Sequence, residues 1–360
     1  MSFDMSYDRP ALLAEAERQF TICNACRYCE GYCDVFPEMF ARRAFAEADL
    51  SELASLCHNC RGCHYACQYA PPHEFAVSLP GLLATARTVS WERHAWPAPL
   101  ARAFQRHGLA LAAALVLGVG ALFWALSALG GAGEGFYAHL SHAAMVAIFT
   151  PAFLFPLLCL AMTARSYWRE IGGAPLHPRH VAQALASAAR LKNLSGGQGQ
   201  GCNFEKGDRY SNARRWAHQA VAWGFLACFG ATAAGTVLHY GFNAPAPYPL
   251  LSLPKLLGLP GGIAMTFGAG ALLWLRSRAE AGLSDARTAS GDVAFTALTG
   301  LTALTGLALY AASGSMLQAP LLALHLGTVL AFFLTAPWSK MVHPVFRLAA
   351  LIRHAQRQER

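Results

Sequence analysis

The sequence predicts a mostly α-helical protein in two parts, a cysteine-rich N-terminal domain and a six-helix membrane bundle. Three observations predict it. Of 360 residues, 55% are hydrophobic and 13% charged, where a soluble domain has roughly a quarter of its residues charged. The apolar residues gather into long runs after residue 106, while the preceding stretch is mixed and charged. Eight of the eleven cysteines stand in two identical runs within residues 23–67. The expected organisation is a head (1–100), a transmembrane domain (101–346) with a long loop at 165–215, and a basic tail (347–360).

The runs are Cys23-x2-Cys26-x2-Cys29-x3-Cys33 and Cys57-x2-Cys60-x2-Cys63-x3-Cys67. This is the ligand spacing of ferredoxins that carry two [4Fe–4S] clusters, in which the fourth thiolate of each run serves the other cluster. Cys23, Cys26, Cys29 and Cys67 are therefore expected to hold one cluster, and Cys57, Cys60, Cys63 and Cys33 the second. Zinc takes separated cysteine pairs more often than four in one run. Disulfides fit worse, because the Met1 end has no basic and apolar secretory signal. Proline does not follow the fourth cysteine directly and comes at Pro37, Pro71 and Pro72. Between the runs, Phe40, Phe45, Leu50, Leu53 and Leu56 interleave with Ala, Glu and Arg as short helices do. An all-helical ferredoxin-like domain is expected rather than the βαβ form.

Six spans of about 20 residues follow, at 107–129, 139–164, 216–240, 256–275, 292–312 and 319–338. Their connections agree on one orientation. Residues 165–215 carry nine lysines and arginines, the fourth connection carries Arg276, Arg278 and Arg287, and the tail is basic. On the other side, 130–138 and 313–318 have neither residue and 241–255 has only Lys255. The positive-inside rule places both termini and the head in the cytoplasm. The net charge of +8 thus follows membrane topology and does not imply nucleic acid.

Four histidines lie near span ends: His218 and His239 on the third, His325 and His343 on the sixth. At about 100° per residue, the step from His325 to His343 is five whole turns, and that from His218 to His239 leaves the rings about 60° apart. Because the spans run in opposite directions, His218 is expected to face His343 on the inner side and His239 to face His325 on the outer side. Two imidazoles facing across a gap suit the axial positions of haem b. Intramembrane histidine is functional by default. The bland alternative is four unrelated histidines at helix ends, and His139 and His142 are competing outer ligands.

Cys159 and Cys228 read as small apolar fillers. The 196–201 glycine run reads as a connector, or as a docking surface beside the head; without a Gly-Lys-Ser/Thr it is no phosphate loop. His58, His64 and His73 flank the second run, where they read as surface residues or as donors to cluster sulfur. No triad, paired-carboxylate site or dinucleotide fingerprint is present, so no substrate-converting site is expected beyond quinone reduction.

The cysteine runs, Arg214-Arg215-Trp216-Ala217-His218, His239-Tyr240, the 246–254 proline-rich stretch and His325…Lys340-Met341-Val342-His343 together resemble the tricarballylate-utilisation protein B family. The helical head resembles iron–sulfur subunits of succinate dehydrogenase and heterodisulfide reductase. The closing span is similar to the cytochrome b subunit of respiratory nitrate reductase. The resemblance implies two [4Fe–4S] clusters at the eight cysteines and one or two haem b at the four histidines. It also implies electron transfer from a cytosolic FAD-dependent dehydrogenase of tricarballylate type to the quinone pool of a bacterial inner membrane. The alternatives are a quinol-oxidising relay, the equivalent module for cobalamin synthesis, and a redox sensor or transporter.

Overall fold

The computed structural model describes residues 9–127, 138–194, 196, 199–203 and 209–359. Among these the regular structure is helical, with no strand and an isolated bridge at Cys202–Ser211. The head contains α1 (Arg9–Cys26), α2 (Val35–Phe40), α3 (Glu47–Leu56), α4 (Gly62–Tyr65) and α5 (Leu79–His94). Helix α3 starts where the Asp49 carboxylate accepts the Ala46 amide at 3.0 Å. Its Glu47 and Asp49 also suit the positive end of the helix dipole. Leu12, Ala16 and Phe20 of α1 bury against Met39, Leu53, Leu56 and Leu83 in one core.

The six long helices are α6 (Ala98–Ser127), α7 (His142–Glu170), α9 (Ala213–Phe242), α10 (Leu253–Arg278), α11 (Ala289–Ala311) and α12 (Gln318–Thr335). All six are long and apolar enough to cross a bilayer. They meet through glycines. A methyl group at Gly108 of α6 would lie 2.7 Å from the Gly291 backbone of α11, and one at Gly327 of α12 2.9 Å from Gly120 of α6. One at Gly224 of α9 would lie 2.7 Å from the Gly261 carbonyl of α10. In lipid, where apolar contact with a neighbouring helix gains little over contact with acyl chains, such close backbone approach drives association.

Helix α12 stops at Thr335 because Pro337 cannot continue it. The chain passes through two tight turns, Ala336–Trp338 and Lys340–Val342, into α13 (His343–Gln358). His343 therefore begins a new helix and does not extend the one that bears His325, which corrects the five-turn register read from sequence. Ala350, Leu351 and Ile352 of α13 join the core of the head. The 165–215 connection contains α8 (Pro178–Arg190), which packs on α13. Asp292 accepts from Arg276 and Lys340 at 2.9 Å each, tying the end of α10 and the start of α11 to the α12–α13 link.

Candidate functional site

Cys23 and Cys26 sit one turn apart at the end of α1, so both project from one face. Arg27 then adopts a left-handed conformation, φ 54°, and returns its amide to the Cys23 carbonyl at 2.9 Å. That reversal brings Cys29 back toward the first pair. In the second run Cys57 caps α3, and Asn59 and Arg61 take φ 51° and 66°. The conformation suits Asn but strains Arg. Arg61 is held in it by burial and by its Nε bond to the Asn59 side-chain oxygen at 3.1 Å.

Cys23, Cys26, Cys29 and Cys67 line one cavity of about 250 Å³, which Cys63 also lines. Cys33, Cys57, Cys60 and Cys63 line a second hollow of about 20 Å³, walled by Val35, Phe36, Leu79 and Leu83. The structure thus brings the first three cysteines of each run together with the fourth of the other. Among the described residues no three His, Cys, Asp or Glu side chains converge as a single metal ion requires. The thiols ring hollows instead, which suits the corners of a cuboidal cluster better than tetrahedral zinc. Burial pushes the Cys23 and Cys29 thiols up to about 12 and Cys60 up to about 11. A bound metal cation would hold them as thiolates at neutral pH.

The Asn59 amide donates to Cys57 Sγ at 3.3 Å. Of the flanking histidines, His58 lines the second hollow and bonds the Leu56 carbonyl through Nδ1 at 2.9 Å, His64 lines the first and packs on Tyr65, and His73 accepts the Phe75 amide at 3.1 Å. In the glycine-rich connection, Cys202 pairs with Ser211 and the Asn203 amide donates to the Cys60 carbonyl at 2.9 Å. This stretch lies against the second cysteine loop; residues 195, 197–198 and 204–208 fall outside the described ones.

His218 and His343 meet, their ring centres 5.9 Å apart and nearly perpendicular. With metal–imidazole bonds of about 2 Å, two rings sharing one metal have centres about 6 Å apart. His343 Nδ1–H donates to the Lys340 carbonyl, the outer hydrogen bond that orients a ligating imidazole. The buried Nδ1 of His218 has no partner. These donors fit an axial pair. The outer histidines are arranged differently. His239 stacks on His142 of α7, centres 4.4 Å apart, while His325 Nδ1 shares a hydrogen bond with Thr305 Oγ1 of α11 at 3.1 Å. Between the two levels α9 approaches α12 through Phe225 and Phe332 at 5.8 Å, and α7 through Phe229 and Phe153 at 6.1 Å.

Two arginines to which the sequence assigned no role of their own join the two halves. Arg214, one turn before His218, donates to the His58 and Asn59 carbonyls at 3.1 and 2.7 Å. Arg347, one turn after His343, donates to the Cys57 carbonyl at 3.1 Å. The His218–His343 pair is thereby fastened to the second cysteine loop from both of its helices. Their i, i+4 spacing to the histidines was the available signal.

A helical head with cysteine-lined hollows, joined to six bilayer-length helices, defines a multi-pass membrane protein with a ferredoxin-type N-terminal domain. The chain belongs to the citrate utilization protein B family. The family model described as Citrate utilization protein B Fer4-like domain matches residues 16–93, and that described as Citrate utilization protein B matches 97–360. Citrate utilization protein B of Escherichia coli is 39% identical over 355 residues, covering 96% of this chain and 93% of that protein. No solved structure matches.

Proposed function

We propose that this chain is the membrane electron-transfer subunit of an oxidoreductase complex. It takes electrons from a cytosolic FAD-dependent dehydrogenase and delivers them to quinone in the cell membrane. Two [4Fe–4S] clusters at the eight cysteines and haem b at the histidines supply the one-electron chemistry when bound. The observation that carries this reading is the succession of sites: a cavity rimmed by exposed Tyr28, the deeper cysteine set, and the paired His218 and His343.

Cys23, Cys26, Cys29 and Cys67 receive electrons at the surface, and Cys33, Cys57, Cys60 and Cys63 hold the inner station. Arg214 and Arg347 keep that station against the histidine pair. His218 and His343 hold the inner haem; a second haem falls to His239 and His325, with His142 beside His239 as a competing ligand. Basic connections set the head in the cytoplasm. The name of the Escherichia coli relative refers to citrate utilization, so the dehydrogenase substrate is proposed to be a tricarboxylate of the citrate or tricarballylate kind. Membranes supplied with the dehydrogenase and that substrate should reduce quinone. Cys23→Ser and Cys57→Ser should each abolish the reduction, and electron flow surviving both changes would refute the relay.

A further inference from the structure

Three arginines from distant segments converge on the backbone that presents the second cysteine set. Arg87 of α5 donates through Nη2 to the Cys57 carbonyl at 2.7 Å and through Nε to the Ala54 carbonyl at 2.9 Å. Arg347 donates to the same Cys57 carbonyl, and Arg214 to those of His58 and Asn59. Among the described residues no carboxylate pairs with Arg87 or Arg347. The Nε of Arg347 is buried without any partner. Neutral donors would satisfy these carbonyls as well. Arginine adds a buried positive charge, which is costly unless an opposite charge accompanies it.

Asp292 acts on Arg87 only through space, and an anion bound at the second cysteine set would add the charge that faces all three arginines. A cuboidal cluster held by four thiolates is an anion, and each electron it accepts adds one negative charge. Positive charge beside it therefore stabilises the reduced form more than the oxidised one. The outer cavity differs: Arg27 lines it, with its guanidinium over the Phe40 ring at 5.2 Å.

We infer that Arg87, Arg214 and Arg347 are the counter-charge of the cluster at Cys33, Cys57, Cys60 and Cys63, raising its reduction potential above that of the outer cluster. The inference rests on the cluster reading above. One electron leaves the outer cluster, oxidising it, and enters the inner one, reducing it; no bond or proton changes place. The potential difference makes transfer toward the membrane downhill.

The test is an EPR-monitored redox titration of the full chain in lipid nanodiscs. Wild-type protein should give two cluster signals with separate midpoints. Arg347→Gln should lower the higher midpoint so that the oxidised-to-reduced ratio at fixed potential rises at least tenfold, about 59 mV for one electron, while the lower midpoint stays in place. Arg347→Lys, which keeps the charge, should retain most of the wild-type value. Arg87→Gln should act in the same direction and carries the test if Arg347→Gln does not assemble. Unchanged midpoints in the glutamine variants, or a lysine variant that falls as far as glutamine, would overturn the inference while leaving the clusters intact. A wild-type protein without cluster signals would overturn the underlying cluster reading and the inference together.

Discussion

Cys67 lies with Cys23, Cys26 and Cys29, and Cys33 lies with the second run. Cys67→Ser is therefore expected to remove the same EPR signal as Cys23→Ser, and Cys33→Ser the same as Cys57→Ser. If Cys67→Ser instead copies Cys57→Ser, the crossing is wrong. His218→Ala and His343→Ala should each lower haem content to the same extent with both cluster signals retained, read by pyridine haemochrome assay; unequal losses would separate the pair. The cysteine groups were legible because their spacing is local and the geometry of a cuboidal cluster is strict. The meeting of His218 and His343 was legible from their places at corresponding ends of antiparallel spans, while the five-turn arithmetic failed because His343 opens a new helix after Pro337. The stacking of His239 on His142 needed knowledge of which helices are neighbours, which no local spacing carries. For the same reason nothing local in the sequence says that Arg87, Arg214 and Arg347 converge on one loop.

Among the elements, α9 and α10 show how the membrane helices cohere. A methyl group at Gly261 would meet the Ala227 Cβ at 2.8 Å and the Gly224 carbonyl at 3.0 Å, whereas one at Gly118 meets nothing within 4 Å. Gly261→Leu should destabilise the bundle by about 1–3 kcal/mol, the usual cost of overpacking, and Gly118→Leu should be neutral. Thermal unfolding in detergent distinguishes them. In the head, burial raises the Glu52 carboxyl from its ordinary 4.5 to about 8, although Arg42 and Arg357 lie within 2.9 and 2.8 Å. A folded state that holds the proton more tightly loses stability as pH rises from 4.5 toward 8. Glu52→Gln should flatten that slope in melting curves of the cluster chromophore; an unchanged slope would assign it to other groups. The six spans were legible from hydropathy because a bilayer imposes length and apolarity together. Helix α13 was read as a basic tail, since its apolar face needs the head to complete it.

At the scale of the whole molecule, the charge asymmetry of the connections predicts which side of the membrane each occupies. Met316, 97% exposed between α11 and α12, should face outward, and Lys192 between α8 and α9 inward. In intact cells, Met316→Cys should react with an impermeant maleimide above the wild-type background. Lys192→Cys should react only after permeabilisation, and the reverse order would invert the topology.

Because Ala350, Leu351 and Ile352 complete the core of the head, that core gains its last apolar face only once α13 has been translated. On the proposed cluster reading, iron loading is expected to be a late step, completed once α13 is in place. A message cut short within the membrane segments would yield a protein with an open, protease-sensitive amino-terminal half.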